Sequence, residues 1–403
     1  MTTHLQEGQS LGASMAHKVV LARGGVLGAN TGIGGAHHAL HQTLSSGKVT
    51  GWELHGVEEY DLGSSPIALR RLYHRWFKHP RRVQSLTTAP QRADLIHITD
   101  QEQAHLVPRR SSIPVVVTVH DLFHLFPEQR LIGSTKVDVG NRNPSLIRRR
   151  DLSKLRQGLA RADLLLCDSY ATLEACKKHF PAVKSLWLPL GLDLEAFAPQ
   201  HTKSATLQPA IDLEKSCHLL IVGSHDPRKR MAFIMSVLGG MDEEVKAHCT
   251  IHHVGQSISH AGEDSVEDLA RTHGVENFIA HGGNLSNQAL MELRHAAEAL
   301  LFPSISEGFG YPPLEAMATG TPVLCADMPS HNELMPKDAC LAPNDVAAWQ
   351  SAIAEVHAKW LERSSSDDSH VWPTPDESLI EHAQSYSLEA YCQRTSEAYS
   401  SLL

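Results

Sequence analysis

The sequence lacks any hydrophobic run long enough to cross a membrane, because its longest apolar stretches, such as IPVVVTV, have the length of a β-strand. The opening residues MTTHLQEGQSLGASMAHK are polar and do not contain the apolar segment of a secretory signal peptide. We therefore expect a cytoplasmic protein that neither spans a membrane nor is exported by that route.

Cysteine pairs and metal-binding motifs are also missing. The seven cysteines form no CxxC pair and show no metal-ligand spacing, which favours reduced thiols over a disulfide framework. The 27 histidines include two adjacent pairs, His37-His38 and His252-His253, but none stands in an HExxH pattern. We expect the histidines to be packing or surface residues, and we expect no bound metal and no cofactor.

The chain has 403 residues, enough for two domains of ordinary size with a cleft between them. Its net charge of −9 hides an uneven distribution, because Lys and Arg are in excess in the first 200 residues and Asp and Glu are in excess in the rest. An acidic chain without a recognised nucleic-acid-binding module argues against a nucleic-acid partner.

Short apolar runs alternate with longer amphipathic stretches along the whole chain. KVVLA, ADLIHIT, IPVVVTV and ADLLLCDS occur in the first half, and HLLIVGS, CTIHHVG, FIAHGG, EALLFPS and PVLCAD in the second. This βα rhythm predicts an α/β fold with two Rossmann-like parallel sheets. The polar segment QHTKSATLQPA separates the two blocks, so we place the domains at 1–200 and 201–385, with a final helix at 386–403.

The strongest local motif is ALLFPSISEGFGYPPLEAMATGTPVLCAD, which predicts a strand, a glycine-rich loop, a helix and another strand. Gly308 and Gly310 permit close approach of the backbone to a ligand, and the N–H groups at the start of the helix can face a diphosphate. Glu307 in the loop and Glu315 about one turn into the helix then serve as acceptors for hydroxyl groups, because carboxylates beside a diphosphate would repel it.

Three further segments place polar groups or glycines after a predicted strand. LLIVGSHDPRKR carries Arg228 and Lys229, cations that can neutralise a leaving diphosphate. VVVTVHDL places His120 at the carboxyl end of a buried strand. Ligands bind at this end of the strands in parallel sheets. GANTGIGGAHHAL allows a tight turn through Gly34 and Gly35, although His37 stands where a dinucleotide-binding GxGxxG would need its last glycine.

Two of these segments resemble the glycosyltransferases of family 4. EGFGYPPLEAMATGTPV is similar to the ExxxxxxxE signature of that family's retaining enzymes, and VGSHDPRKR is similar to the pattern VGxxxPRKN. Ser224 stands where many members have Arg, and Arg230 replaces the usual Asn.

The resemblance implies a GT-B fold, in which two facing Rossmann-like domains enclose a cleft and the last helix crosses back to the N-terminal, acceptor-binding domain. It implies retaining, metal-independent transfer of a hexose, mannose first, from a nucleotide diphosphate sugar. Cations then hold a departing phosphate that takes the acceptor's proton, and Glu307 orients the sugar. The resemblance assigns catalytic roles to His120, Glu307, Arg228 and Lys229. It assigns donor contacts to Gly34, Gly35, Gly283, Leu285, Gly308, Phe309, Gly310, Tyr311 and Glu315.

The acceptor side is less determined by the sequence. LRRLYHRWFKHPRRV interleaves basic and aromatic residues over 70–82, which suits an anionic membrane surface or a lipid-linked acceptor, and equally suits a solvated helix. A glycan acceptor is the other option. Two different functions remain open beside transfer to an acceptor: a GT-B-like nucleotide-sugar epimerase or hydrolase, and a non-catalytic sugar-nucleotide sensor.

Overall fold

The structure is a computed structural model that describes residues 16–25, 32–60, 68–88, 93–198, 216–258, 264–283, 285–365 and 372–403. The predicted domain boundary near residue 200 lies outside these residues, as does the part of the glycine-rich segment that precedes Gly32. None of the described helices is both long and apolar enough to cross a membrane.

The first half of the chain forms a six-stranded parallel sheet in the order β2-β1-β3-β4-β7-β8, with an antiparallel hairpin, β5-β6, beside it. Its central strands, such as VVVTV, are buried along their whole length because helices cover both faces. The strands are β1 (His17–Gly25), β2 (Trp52–Tyr60), β3 (Leu95–Ile98), β4 (Val115–Val119), β5 (Glu128–Ile132), β6 (Thr135–Val139), β7 (Leu164–Cys167) and β8 (Lys184–Trp187).

The helices of this half connect the strands in the expected alternation. Residues 68–86 run as one continuous helical segment, in which a π-helical turn, His74–Lys78, lies between α2 and α3. A 3-10 helix covers Gln101–Leu106. The α-helices are α1 (Gly32–Ser45), α2 (Ala68–Tyr73), α3 (His79–Leu86), α4 (Leu146–Leu159), α5 (Tyr170–His179) and α6 (Leu194–Phe197).

The second half forms a five-stranded parallel sheet in the order β11-β10-β9-β12-β13. Its strands are β9 (Cys217–Val222), β10 (Cys249–Val254), β11 (Phe278–Ala280), β12 (Ala299–Phe302) and β13 (Val323–Cys325). Its helices are a 3-10 turn (Pro227–Lys229), α7 (Met231–Gly239), α8 (Glu243–His248), α9 (Val266–Thr272), α10 (Asn287–Ala296), α11 (Tyr311–Ala318), α12 (Pro329–Asn332) and α13 (Val346–Ser364). The two parallel sheets confirm the predicted fold class.

The end of the chain returns to the first sheet. It consists of α14 (Glu377–Ala383), a 3-10 turn (Gln384–Tyr386) and α15 (Leu388–Ser400). The Tyr399 hydroxyl is 2.6 Å from Nδ1 of His97 on β3, and Nε1 of Trp52 on β2 donates to Oγ of Ser400 at 3.3 Å. A single hydrophobic cluster therefore runs from the first sheet through the last helix to the second sheet, as the predicted crossing helix requires.

Candidate active site

The carboxylate of Glu307 lies between two cations in the loop that follows β12. Its Oε1 is 2.6 Å from Nζ of Lys229, and its Oε2 is 2.7 Å from Nη1 of Arg228. Burial alone would raise the pKa of Glu307, but the Lys229 ammonium and the Arg228 guanidinium lower it to about 2. Glu307 is thus ionised at neutral pH. The Asp226 carboxylate lies 3.6 Å from Nε of Arg228, so the two cations have two acidic neighbours.

Hydrogen bonds to the main chain connect the turn that carries Arg228 to the loop that carries Glu307. The Asp226 carboxylate accepts the N–H of Arg228 at 3.0 Å and begins the 3-10 turn that follows β9. The N–H of Ile305 donates to the carbonyl of Arg228 at 2.9 Å, and Nη1 of Arg228 donates to the carbonyl of Ser306 at 2.7 Å. Because β9 and β12 are neighbours at the point where the strand order reverses, the triad lies where open α/β sheets bind ligands.

Arg230, the third cation of the PRKR segment, has a different role from Arg228 and Lys229. Its backbone is left-handed, with φ 56°, a conformation that suits the Asn expected there better than Arg. Its guanidinium donates to Asn344 at 2.6 Å and lies 4.0 Å from the centre of the Phe233 ring. Arg230 therefore supports the turn structurally.

Gly308 brings the Glu307 loop into contact with the first half of the chain. A Cβ at Gly308 would lie 2.1 Å from the carbonyl oxygen of His120, so only glycine permits this approach. Gly310 has φ 119°, which L side chains rarely adopt, and it begins α11. Phe309 is buried against the rings of Tyr311 and Tyr386, so its side chain supports the loop.

His120, which follows β4, is held through both ring nitrogens. Nδ1 is 2.5 Å from a carboxylate oxygen of Asp168, and Nε2 is 3.1 Å from the carbonyl oxygen of Thr99. Burial would lower the pKa of His120, but the Asp168 carboxylate raises it to about 9. Both partners accept, so both ring nitrogens donate and the imidazole is cationic. The side chain is fully engaged, and the main-chain carbonyl faces the Glu307 loop.

A cleft of about 720 Å³ opens between the two halves. Gly35 of α1 lines it from the first half, and Tyr311 and Glu315 of α11 line it from the second. Glu315 forms an ion pair with Arg294 of α10, whose guanidinium lies 5.4 Å from the centre of the Phe197 ring. The cleft therefore presents a fixed carboxylate between the two sheets.

Comparisons with known proteins agree with this geometry. The sequence profile described as "Glycosyltransferase Family 4" matches residues 45–196, and the profile described as "Glycosyl transferases group 1" matches residues 207–367. Together the two matches span most of the chain. The chain belongs to the family 4 glycosyltransferases.

Individual relatives of this family 4 member match over limited stretches. The O-antigen chain mannosyltransferase RfbU of Salmonella typhimurium is 45% identical over 73 residues, which are 18% of this chain and 21% of that protein. The D-inositol 3-phosphate glycosyltransferase of Nocardiopsis dassonvillei is 25% identical over 249 residues, which are 59% of this chain and 55% of that protein. The chain thus spans about half the length of the second relative and much less of the first.

Solved structures match over nearly the whole chain. Sucrose-phosphate synthase from Thermosynechococcus elongatus has a TM-score of 0.69 at 18% identity, covering 96% of this chain and 99% of that one. The Anabaena protein HepE in complex with UDP and glucose has a TM-score of 0.66 at 15% identity, covering 96% and 100%. At these identities the likeness establishes the shared fold.

The structure places the predicted site residues of this family 4 member in three groups. Arg228, Lys229 and Glu307 form the ion triad, and Gly308 contacts His120 across the two halves. The cleft group contains Gly35, Tyr311 and Glu315, with Gly34 buried in the same turn of α1. Gly283 is exposed after β11 and Leu285 packs against the hydrophobic core, and neither is among the described residues that line the cleft.

Sequence reasoning missed residues that contact this site, among them Arg294, the ion-pair partner of Glu315. Asp168, the ionic partner of His120, directly follows strand β7, and the strand-end position that singled out His120 could have identified it. Arg130 on the β5-β6 hairpin donates to the carbonyl of Ile305 at 2.8 Å. No local sequence pattern indicates that contact, because the two residues are 175 positions apart.

Proposed function

We propose that the protein transfers a hexose from a nucleotide diphosphate sugar to a hydroxyl of a glycan or lipid-linked acceptor, with retention at the anomeric carbon. One observation carries this proposal. Two fixed cations, Arg228 and Lys229, hold a buried carboxylate at the ligand-binding edge of the second sheet. Fixed cations at this position can stabilise the negative charge of a diphosphate.

The donor would extend from the triad into the cleft. Arg228, Lys229 and the N–H groups at the start of α11 would bind the diphosphate, whereas the Glu307 carboxylate would accept from sugar hydroxyls. Glu315, fixed by Arg294 at the cleft wall, would accept from the ribose hydroxyls.

In the transfer step, the bond between the anomeric carbon and the β-phosphate oxygen breaks and the acceptor oxygen bonds to that carbon. The acceptor proton passes to the departing phosphate, so the released products are a nucleoside diphosphate and a glycoside. Arg228 and Lys229 stabilise the charge that develops on the leaving group, and this is the role a divalent ion has in other transferases. We therefore propose that the reaction requires no added metal or cofactor.

Mannose is the proposed sugar, because the PRK and HDL segments resemble bacterial mannosyltransferases and the RfbU match points the same way. The bound UDP of the HepE structure supports a nucleotide diphosphate sugar as donor. On the acceptor side, we propose a peripheral contact of residues 70–82 with an anionic membrane.

A donor screen followed by turnover tests the proposed function. Thermal shift with a panel of nucleotide sugars that includes GDP-mannose should identify the donor, and nucleoside diphosphate release should then accelerate when a lipid-linked or glycan acceptor is added. Activity should persist in a metal chelator, and NMR of the product should show the donor's anomeric configuration. Release unaffected by any acceptor would indicate a hydrolase, and tight donor binding without turnover would indicate a sensor.

A further inference from the structure

Four large apolar side chains are exposed on neighbouring helical segments of the first half. On the helical segment 68–86, Tyr73 is 53% exposed and Phe77 is 48% exposed. At the start of α4, Leu146 is 81% exposed and Ile147 is 57% exposed. Large apolar groups that stand together in water mark an interaction site more often than single ones do.

These two segments are joined into one surface. Arg75 holds Asp151 of α4 through Nε at 2.9 Å, and Nε1 of Trp76 donates to the same carboxylate at 3.0 Å. Nζ of Lys154 lies 4.3 Å from the Trp76 ring centre and 5.5 Å from that of Phe77. Ile147 is on the same face of α4 as Lys154, because the two are seven residues, or about two turns, apart.

These two helical segments carry a large excess of positive charge. Residues 68–86 contain no Asp or Glu, and the only acidic residue of α4, Asp151, is occupied by Arg75 and Arg148. The same two segments also carry seven further cations: Arg70, Arg71, Lys78, Arg81, Arg149, Arg150 and Lys154. We name Tyr73, Phe77, Leu146 and Ile147, together with these cations, the basic apolar surface.

We propose that the basic apolar surface docks on an anionic lipid bilayer, with the four apolar side chains inserted at the interface and the cations on the headgroups. The presence of both cations and exposed apolar side chains favours a lipid bilayer over a nucleic acid as the partner. Cations alone would suit a nucleic acid equally, but exposed Leu146 and Ile147 have no partner on a phosphate backbone and do have one in acyl chains. Lys and Arg can extend their charged ends to headgroups while their stems cover apolar surface.

Docking on a bilayer would also bring the protein close to lipid-linked acceptors. This inference extends the acceptor side of the proposed function, and it adds the start of α4, which sequence reasoning did not include. Because Gly35 of the same half lines the cleft, a bilayer bound here would hold lipid-linked acceptors on the half of the molecule that we expect to bind the acceptor.

Co-sedimentation with vesicles, measured without donor or acceptor, tests the docking. The full chain should bind vesicles of phosphatidylcholine with phosphatidylglycerol, and should not bind pure phosphatidylcholine. Raising the salt concentration should weaken binding, because headgroup attraction is screened. Replacing Arg70 and Arg71 together by Gln should lower binding at least tenfold, since each cation near an anionic surface contributes about fivefold.

Separate variants and a control test how much the apolar side chains contribute to vesicle binding. Leu146→Ser with Ile147→Ser should lower binding at least tenfold while charge is unchanged, and Phe77→Ser should act in the same direction. Leu131→Ser, at a 66% exposed position on β5, should bind as the wild type does. Circular dichroism checks that each variant is folded.

Three results would overturn the docking proposal: absence of vesicle binding by the folded wild type, equal binding to neutral vesicles, or wild-type binding by the Leu146/Ile147 variant. Binding of RNA that competes with vesicles and persists in the Leu146/Ile147 variant would instead assign the surface to nucleic acid. Donor turnover is measured separately, so failure of docking leaves the transferase proposal to its own assay.

Discussion

At the residue scale, the candidate active site depends on the charge balance around Glu307. Hydrogen bonds to Ile305 and Ser306 fix Arg228, and the N–H of Lys229 donates to the carbonyl of Asp226 at 2.8 Å, so the triad is organised before any ligand binds. Preorganised charges of this kind stabilise a developing negative charge without having to rearrange during the reaction. The same arrangement makes the site sensitive to the loss of any one of its members.

Glu307→Ala and Lys229→Ala should each lower turnover by about 10²–10³-fold, the range seen when one preorganised group of an active site is removed. Steady-state nucleoside diphosphate release, with donor and acceptor both present, measures the effect. Glu243→Gln is the matched control, because its side chain is 91% exposed and pairs only with Lys246 among the described ion pairs. Wild-type rates in both active-site variants would contradict the site assignment.

Gly308→Ala should lower both turnover and the free energy of unfolding. The new methyl group would meet the His120 carbonyl oxygen at 2.1 Å, so the Glu307 loop must move away from the first half. We expect turnover to fall by at least about tenfold and the free energy of unfolding by about 1–3 kcal/mol, as overpacking usually costs. Turnover assays and denaturant titration measure the two effects.

Gly56→Ala is the control for Gly308→Ala, since nothing lies within 4 Å of a Cβ added at Gly56. It should keep full turnover. Unchanged turnover of Gly308→Ala would show that the close contact between the two halves has no part in the reaction.

At the scale of elements, the β5-β6 hairpin connects the halves at the active site. Val137 and Val139 form a small hydrophobic cluster with Ile305 of the Glu307 loop, and Arg130 donates to the carbonyl of that same residue. The hairpin belongs to neither parallel sheet. The hairpin stabilises the position of the Glu307 loop from the first half of the chain.

Arg130→Ala should therefore lower turnover about tenfold, because a hydrogen bond from a charged donor contributes on the order of 1.5–3 kcal/mol. Arg130→Lys should recover part of the loss, since a lysine can donate to the same carbonyl. Arg142→Ala, an exposed substitution just beyond the hairpin, is the comparison. If Arg130→Ala and Arg142→Ala have the same rate, the hairpin does not position the loop.

At the scale of the whole molecule, buried histidines make stability depend on pH. Burial lowers the pKa of His97 to about 3, and His37 and His252 are lowered to about 3 chiefly by burial as well. His97 stays neutral between Tyr399 and Thr118, so it also fixes the last helix to the first sheet. In the unfolded chain, these imidazoles bind a proton near pH 6.5.

Acid should thus destabilise the protein in the window between pH 6.5 and about 3, where the unfolded state binds more protons than the folded state does. Each of these histidines contributes a slope of about 1.4 kcal/mol per pH unit, with stability falling as the pH falls. His97→Gln should remove one such slope, as denaturant titrations at several pH values would show. His55→Gln, at an exposed position on β2, should retain the wild-type slope. An equal slope in the wild type, His97→Gln and His55→Gln would contradict the role of His97.

Much of the fold and site was predictable because the relevant signals are local. Alternation of apolar runs with amphipathic stretches predicted two parallel sheets, and glycines and prolines around Glu307 predicted the loop and the start of α11. The ion pairs of Glu307 were not predicted, since the sequence showed the cations and the carboxylate only as separate motifs that face a common ligand. The predicted domain boundaries and individual donor contacts stay predictions.

The sequence by itself determined the elements, their parallel arrangement and the identity of the family, because each depends on residues close together along the chain. Only the tertiary structure decided the contacts between distant segments: His120 with Asp168 across 48 positions, Arg130 with Ile305 across 175, and His97 with Tyr399 across 302. These contacts follow from how the sheets and the last helix pack, and neither periodicity nor local propensity carries that information.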